Sequence, residues 1–175
     1  MTDEVAAYIA GFLDGDGSIM AQLVYRKDYK YGYQIRVSIV FYQKTIHEEI
    51  LLWLKEQLHA GYIRRRRDGM SEYTIVGLSE VASVLMLLQS KLRLKKRLAR
   101  DVLKLIRLHP ARMKPGSLLR LAKLVDQTAT FNYSKKRTIT STVVAEYLER
   151  HHFLPVETSS AILADGIDAT DQPKG

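Results

Sequence analysis

A chain of 175 residues and 20.0 kDa has the length of one domain, with enough apolar mass for its own core. Hydrophobic residues at 46% and charged residues at 26% exclude wholesale disorder, and the absence of cysteine excludes disulfides, thiolate zinc sites and cysteine nucleophiles. The formal charge is +8, and residues 153–175 carry net −3, so residues 1–152 carry +11; a folded body that basic points to a polyanion, nucleic acid before membrane.

Thr2 or Asp3 caps a first helix, and Glu4 suits its positive end. Its apolar run, residues 5–13, is far shorter than the roughly 20 residues that span a bilayer, and no basic segment precedes it, so neither a membrane span nor a secretory signal is expected. The helix is apolar on every face and must therefore be covered on two sides. Ala7, Gly11 and Gly15 form a small-residue ridge along which another helix can approach closely.

After Gly17 the period changes to two. Met20, Gln22, Val24 and Arg26 alternate with Ile19, Ala21, Leu23 and Tyr25, and beyond a loop at residues 28–32 the pattern resumes with Gln34, Arg36, Ser38, Val40 and Tyr42 against Ile35, Val37, Ile39 and Phe41. This is a hairpin with one apolar and one mixed polar face. Residues 45–58 read as a helix with Ile46, Ile50, Leu51, Leu54 and Leu58 on one side. A second hairpin joins residues 62–67 to 72–76 through a turn at Asp68-Gly69, with Ile63 in phase with Tyr73 and Ile75, and Tyr62, Arg64 and Arg66 in phase with Glu72 and Thr74. Helices follow over residues 79–92, 94–109, 115–128 and 141–152. The order α-β-β-α-β-β-α, with further helices, predicts an α+β domain over residues 1–152, a four-stranded antiparallel sheet backed by helices. Residues 153–175, acidic and rich in Ala, Asp, Thr, Ser and Gly, are expected to be a disordered tail.

The chemistry concentrates at Asp14-Gly15-Asp16-Gly17-Ser18-Ile19, where the apolar helix gives way to the first strand. The best EF-hand register puts Phe12 at the first ligand position and Leu23 where a bidentate Glu belongs, and a strand follows in place of the exit helix, so that reading is rejected. Carboxylates at a helix C-terminus face the negative end of the macrodipole. Two of them on a buried helix call for compensation, and a divalent cation supplies it. Mg²⁺ takes one or two carboxylates, waters and substrate phosphates, which suits an acidic site beside a basic face. A pair of solvated turn residues is the other reading open at this point.

Residues 10–18, Ala-Gly-Phe-Leu-Asp-Gly-Asp-Gly-Ser, closely resemble the signature of the LAGLIDADG homing endonucleases, and the strand alternation and element order match that family over about residues 5–150. Gln43-Lys44-Thr45, residues 92–96, 124–127 and Ser134-Lys135 resemble its single-motif, algal chloroplast intron-encoded branch. The resemblance implies an intron-homing DNA endonuclease that acts as a homodimer through the motif helix, with Ala7, Gly11, Asp14 and Gly15 at the interface. It implies that two copies of Asp16 meet at the axis and share divalent ions with the Gly15 carbonyl, Mg²⁺ foremost, with Mn²⁺ or Ca²⁺ as substitutes and Ca²⁺ not supporting cleavage. It also implies a polar pocket of Gln43 and Lys95, with His47 where the family often has Arg. The location it implies is an organelle, chloroplast or mitochondrion; a prokaryotic cytoplasm is the other source.

A two-stranded ribbon fits the major groove and presents every second side chain to the bases. The readers are then Gln22, Val24, Arg26, Gln34, Arg36, Ser38, Tyr62, Arg64, Arg66, Glu72 and Thr74, a mixture suited to base readout on top of phosphate neutralisation. The family resemblance implies that Ser134 and Lys135 lie near the centre of the site. Two-fold symmetry predicts a long, pseudo-palindromic target in double-stranded DNA. An intron RNA maturase or a cleavage-inactive DNA binder of the same fold is the alternative.

Overall fold

The computed structural model describes residues 1–129 and 137–165. Helix α1 (Asp3–Asp16) is capped by Thr2, whose hydroxyl accepts the Val5 amide. It runs through the double-acid motif and stops at Gly17, where an added Cβ would lie 2.6 Å from Leu13 Cδ1. The missing side chain lets the backbone pass directly from helix into β1 (Gly17–Tyr25). Strand β2 (Tyr33–Lys44) returns antiparallel, with Gly17 opposite Phe41 and Tyr25 opposite Tyr33.

A 3-10 turn at Thr45–His47 leads into α2 (Glu49–Leu58), then β3 (Tyr62–Arg65), β4 (Met70–Val76) and α3 (Leu78–Leu88). The sheet order is β1-β2-β4-β3, so β4 lies between β2 and the edge strand β3, with Tyr73 opposite both Phe41 and Ile63. Helices α4 (Lys96–Arg107), α5 (Pro115–Ala129), α6 (Ser141–Arg150) and α7 (Val156–Ala164) complete the described chain. The apolar alternants of the strands, among them Ile19, Ala21, Val37, Ile39, Phe41, Tyr73 and Ile75, join Ile9, Ala10 and Leu13 of α1 in one core. Phe12 stacks on Phe41 and Phe41 on Tyr73, each with centroids 5.8 Å apart, which ties the motif helix to the sheet. The expected α+β architecture and antiparallel sheet are what the chain forms.

Three expectations are corrected. Helix α2 begins at Glu49, and the residues before it take the tighter 3-10 turn, so Ile46 leaves the predicted apolar face and is 77% exposed. Helix α4 begins at Lys96, because the amides of Arg93, Leu94 and Lys95 bond to a side chain of α1. The tail expected to be disordered folds as far as Asp165: α7 buries Ser159 and Ile162, and Lys123 of α5 donates to the carbonyls of Ile162, Leu163 and Asp165 at its C-terminal end. A lysine there satisfies carbonyls that have no partner inside the helix and meets the negative end of its dipole. Composition hides this, since two anchor residues and a distant lysine do the work. Among the described residues no helix is long and apolar enough to cross a membrane.

Candidate active site

Asp14 and Asp16 stand in the last turn of α1, and two residues along a helix place side chains on roughly opposite sides. Asp14 turns into its own chain. Its Oδ2 accepts the amides of Arg93 at 2.6 Å and Leu94 at 3.2 Å, and its Oδ1 accepts that of Lys95 at 2.9 Å. Its compensation thereby comes from amides of its own chain, which corrects the expectation that both acids need a cation. Asp16 stays exposed at the helix end.

Lys95 is half-buried beside this pair. Its ammonium donates to the Asp14 carbonyl, so it closes the end of α1 as the Asp14 carboxylate closes the start of α4. Burial pushes its amine below the usual lysine range, and the charges of Asp14 and Asp16 oppose that shift. Gln43 lies on β2 two residues beyond Phe41, the partner of Gly17, and so borders the junction of α1 and β1. Its Oε1 accepts the Lys44 amide at 2.8 Å, which leaves the side-chain NH₂ as a donor. His47 is exposed in the 3-10 turn with Nδ1 3.9 Å from the Glu49 carboxylate. Among the described residues no cluster of three or more His, Cys, Asp or Glu side chains is placed to hold a metal.

The face of α1 opposite the core is open. Ala6, Ile9, Ala10 and Leu13 are buried, whereas Ala7, Tyr8, Gly11 and Gly15 are exposed. Beyond the chain neighbours and the helix's own backbone, a Cβ added at Gly11 or Gly15 would meet nothing within 4 Å among the described residues. Tyr8 packs edge-on against Trp53 of α2 at 5.5 Å, extending the apolar surface sideways. The helix that sequence requires to be covered twice is covered once by its own chain.

On the outer face of the sheet, Gln22, Arg26, Arg36, Tyr62, Arg64 and Arg66 are exposed and Val24, Gln34 and Glu72 partly so. Ser38 and Thr74 share that face, but their exposures of 3% and 6% correct the expectation that they reach out. Ser38 is short and sits between Met20 and Val76; Thr74 sits between Val40 and Tyr62. The arginines are held by neighbouring acids: Arg64 by Glu72 at 2.6 Å, Arg66 by Asp68 at 2.7 Å, and Arg26 by Asp28, whose carboxyl it draws down to about 2. Ser134 and Lys135 lie outside the described residues. Sequence reasoning missed the role of the 93–95 amides, which no residue type signals, and of Glu48, which alternation would have suggested by putting Arg65 on the inner face.

Residues 9–106 match the LAGLIDADG endonuclease family. The DNA endonuclease I-CvuI of Chlorella vulgaris is 40% identical over 144 residues, 82% of this chain and 89% of its own. The chain belongs to the LAGLIDADG endonuclease family. I-CreI of Chlamydomonas reinhardtii, also a DNA endonuclease, is 37% identical over 147 residues, 83% of this chain and 90% of its own. A crystal structure of I-CvuI on the I-CreI target, with Mg present and the DNA not cleaved, superposes with a TM-score of 0.82 at 39% identity, covering 84% of this chain and 94% of that one. The archaeal enzyme I-Vdi141I, bound to DNA, shares the fold with a TM-score of 0.73 at 21% identity, covering 85% of this chain and 96% of its own. The match to the LAGLIDADG family takes in the end of α1, both hairpins and α4 as far as Ile106.

Proposed function

We propose that this LAGLIDADG protein is a site-specific DNA endonuclease that acts as a homodimer, breaking both strands of a long pseudo-palindromic site by metal-dependent phosphodiester hydrolysis and so promoting intron homing. The observation that carries the reading is the position of Asp16. It is exposed where the open small-residue face of α1 ends and the outer face of the sheet begins. Pairing of two copies along Ala7, Gly11 and Gly15 brings two Asp16 side chains together beside a surface built for DNA.

The donors suit a hard divalent cation, with Mg²⁺ as the first candidate. Asp16 offers a carboxylate, and Gly15 offers a carbonyl from the last turn of a helix, where carbonyls lack intrahelical partners. That is one carboxylate per chain, and Mg²⁺ takes one or two together with substrate phosphates and water. When bound, the cation neutralises developing phosphate charge and lowers the pKa of water. Lys95 holds a positive charge beside Asp16 without pairing to it, since its ammonium is directed at the Asp14 carbonyl. With its Oε1 taken by the Lys44 amide, Gln43 has its side-chain NH₂ as the donor it can offer to water at the site. His47, turned to Glu49, is assigned no step.

Arg64, Arg66, Arg36 and Gln22 read base edges from the two hairpins, and an arginine already oriented by a carboxylate loses less freedom on docking. The relatives come from Chlorella and Chlamydomonas. We assign this protein to an organelle, chloroplast or mitochondrion, which recovery of its coding intron from organelle DNA tests. Activity is tested by incubating the purified protein with a plasmid carrying its site and Mg²⁺: linear product is expected, and binding with no cut at any divalent cation would reassign the protein as a binding module.

A further inference from the structure

Arg64-Arg65-Arg66-Arg67 is chemically degenerate, so the run does not itself say which arginine faces outward. It starts on β3, a four-residue edge strand paired on one side only and largely exposed. A slip of one residue would send Arg65 to the outer face and Arg64 to the inner one while still presenting a guanidinium to the groove. Hydrophobic patterning resists such a slip through Ile63 alone.

Glu48 breaks the degeneracy. It is the one charged side chain among the described residues that is buried, at 7% exposure, and it lies between the 3-10 turn and α2. Its Oε2 accepts Arg65 Nε at 2.8 Å and Nη2 at 2.6 Å, and its Oε1 accepts the Ser71 hydroxyl at 2.9 Å. Ser71 faces Arg65 across the β3–β4 pairing and Gln43 across the β2–β4 pairing. The hydroxyls of Ser71 and Thr45 bond at 3.1 Å, and the Thr45 amide donates to the Gly69 carbonyl at 2.9 Å. One carboxylate thus fastens the edge strand and the hairpin to the end of β2.

Only the Glu48 end of this pair is buried, with side-chain exposures of 9% for Glu48 and 72% for Arg65, so it adds little net stability. Its value is directional, since two N–H groups of one arginine converge on one carboxylate oxygen and fix which arginine meets it. We infer that Glu48 is a positioning residue for sequence specificity: by selecting Arg65 for the inner face it sets the register of the β3–β4 hairpin, so that Arg64 and Arg66 always meet the same base edges. This rests on the outer sheet face being the DNA-reading surface.

The test is a cleavage profile over all single-base half-site variants, with the full-length protein, for wild type, Arg64→Ala, Arg36→Ala, Glu48→Gln and Arg65→Gln. Discrimination at the positions altered by Arg64→Ala should fall about tenfold in Glu48→Gln and in Arg65→Gln, a typical loss for one bidentate base contact. Positions altered by Arg36→Ala should keep their discrimination, the cognate site should be cut at saturation within about twofold of wild type, and the reversed pair Glu48→Arg with Arg65→Glu should restore the profile. Arg65 is exposed, so its variant carries the test if Glu48→Gln does not fold. An unchanged profile, or equal loosening at both sets of positions, overturns the inference. If Arg64→Ala itself leaves the profile untouched, the reading of the face fails and takes the inference with it.

Discussion

Asp14 and Lys95 hold each other twice: the Asp14 carboxylate accepts the Lys95 amide at 2.9 Å, and the Lys95 ammonium donates back to the Asp14 carbonyl. The two acids of the motif therefore have different work. Asp14 assembles the site within a chain, and Asp16 is left exposed at the helix end. Asp14→Ala strands three amides at the start of α4, and lost hydrogen bonds to a charged acceptor cost about 1–3 kcal/mol. Thermal unfolding should shift down accordingly, and cleavage should fall at least tenfold because Lys95 loses its anchor, whereas Asp14→Asn should recover part of the stability. A melting temperature unchanged by Asp14→Ala would show that the loop stands without it.

Asp16→Asn removes a charge that no ion pair among the described residues holds, so folding stability should stay within about 0.5 kcal/mol of wild type, the range for surface substitutions. Double-strand cleavage should disappear, and gel-shift affinity for the site should be retained. Retained cutting would take Asp16 out of the chemistry.

The hydrogen bond from Arg65, with that from Ser71 second, holds the Glu48 carboxyl below the ordinary glutamate range. A carboxyl lowered in the folded state contributes stability that is full above its unfolded value, about 4.3, and is lost as pH falls through the folded value. The stability gap between wild type and Glu48→Gln should therefore be constant near neutrality and close as pH is lowered below the unfolded value. Urea melts across that range measure it, and a gap that widens in acid would contradict the assignment.

Exposure separates the proposed readers on the sheet. Arg36→Ala should relax preference at a defined base position by about 1–3 kcal/mol, as loss of a bidentate contact does. Ser38→Ala, on the same strand but covered by Met20 and Val76, should leave the profile as it is. A Ser38→Ala profile as altered as that of Arg36→Ala would mean that the strand rearranges on the DNA.

What sequence made legible was what neighbouring residues specify together. The alternation from Ile19 to Phe41 and from Ile63 to Ile75 placed both hairpins in the observed phase, and the apolar run before Asp14 gave the helix that feeds them. Misses arose where partners are far apart in the chain. Asp14 takes amides some 80 residues away, and amides carry no residue identity to read. Glu48 reaches Arg65 at a separation of 17, and Lys123 reaches Ile162 at 39, so a run of arginines and a polar tail each looked uniform until the fold gave single members a partner. Ser38 shows the converse limit: alternation assigns a face, but neighbouring side chains decide what reaches beyond it.

Cleavage in this proposal needs two chains paired along α1, and Gly11→Glu is the variant that probes the pairing. Beyond its chain neighbours and its own helix backbone, no atom of the described residues lies within 4 Å of a Cβ begun there, so the variant should fold, while a charge is driven into the paired helices. With the protein monomeric by sedimentation, a plasmid carrying the site and Mg²⁺ should show no linear product at concentrations where wild type cuts to completion. A monomeric Gly11→Glu protein that breaks both strands at the wild-type rate would contradict it.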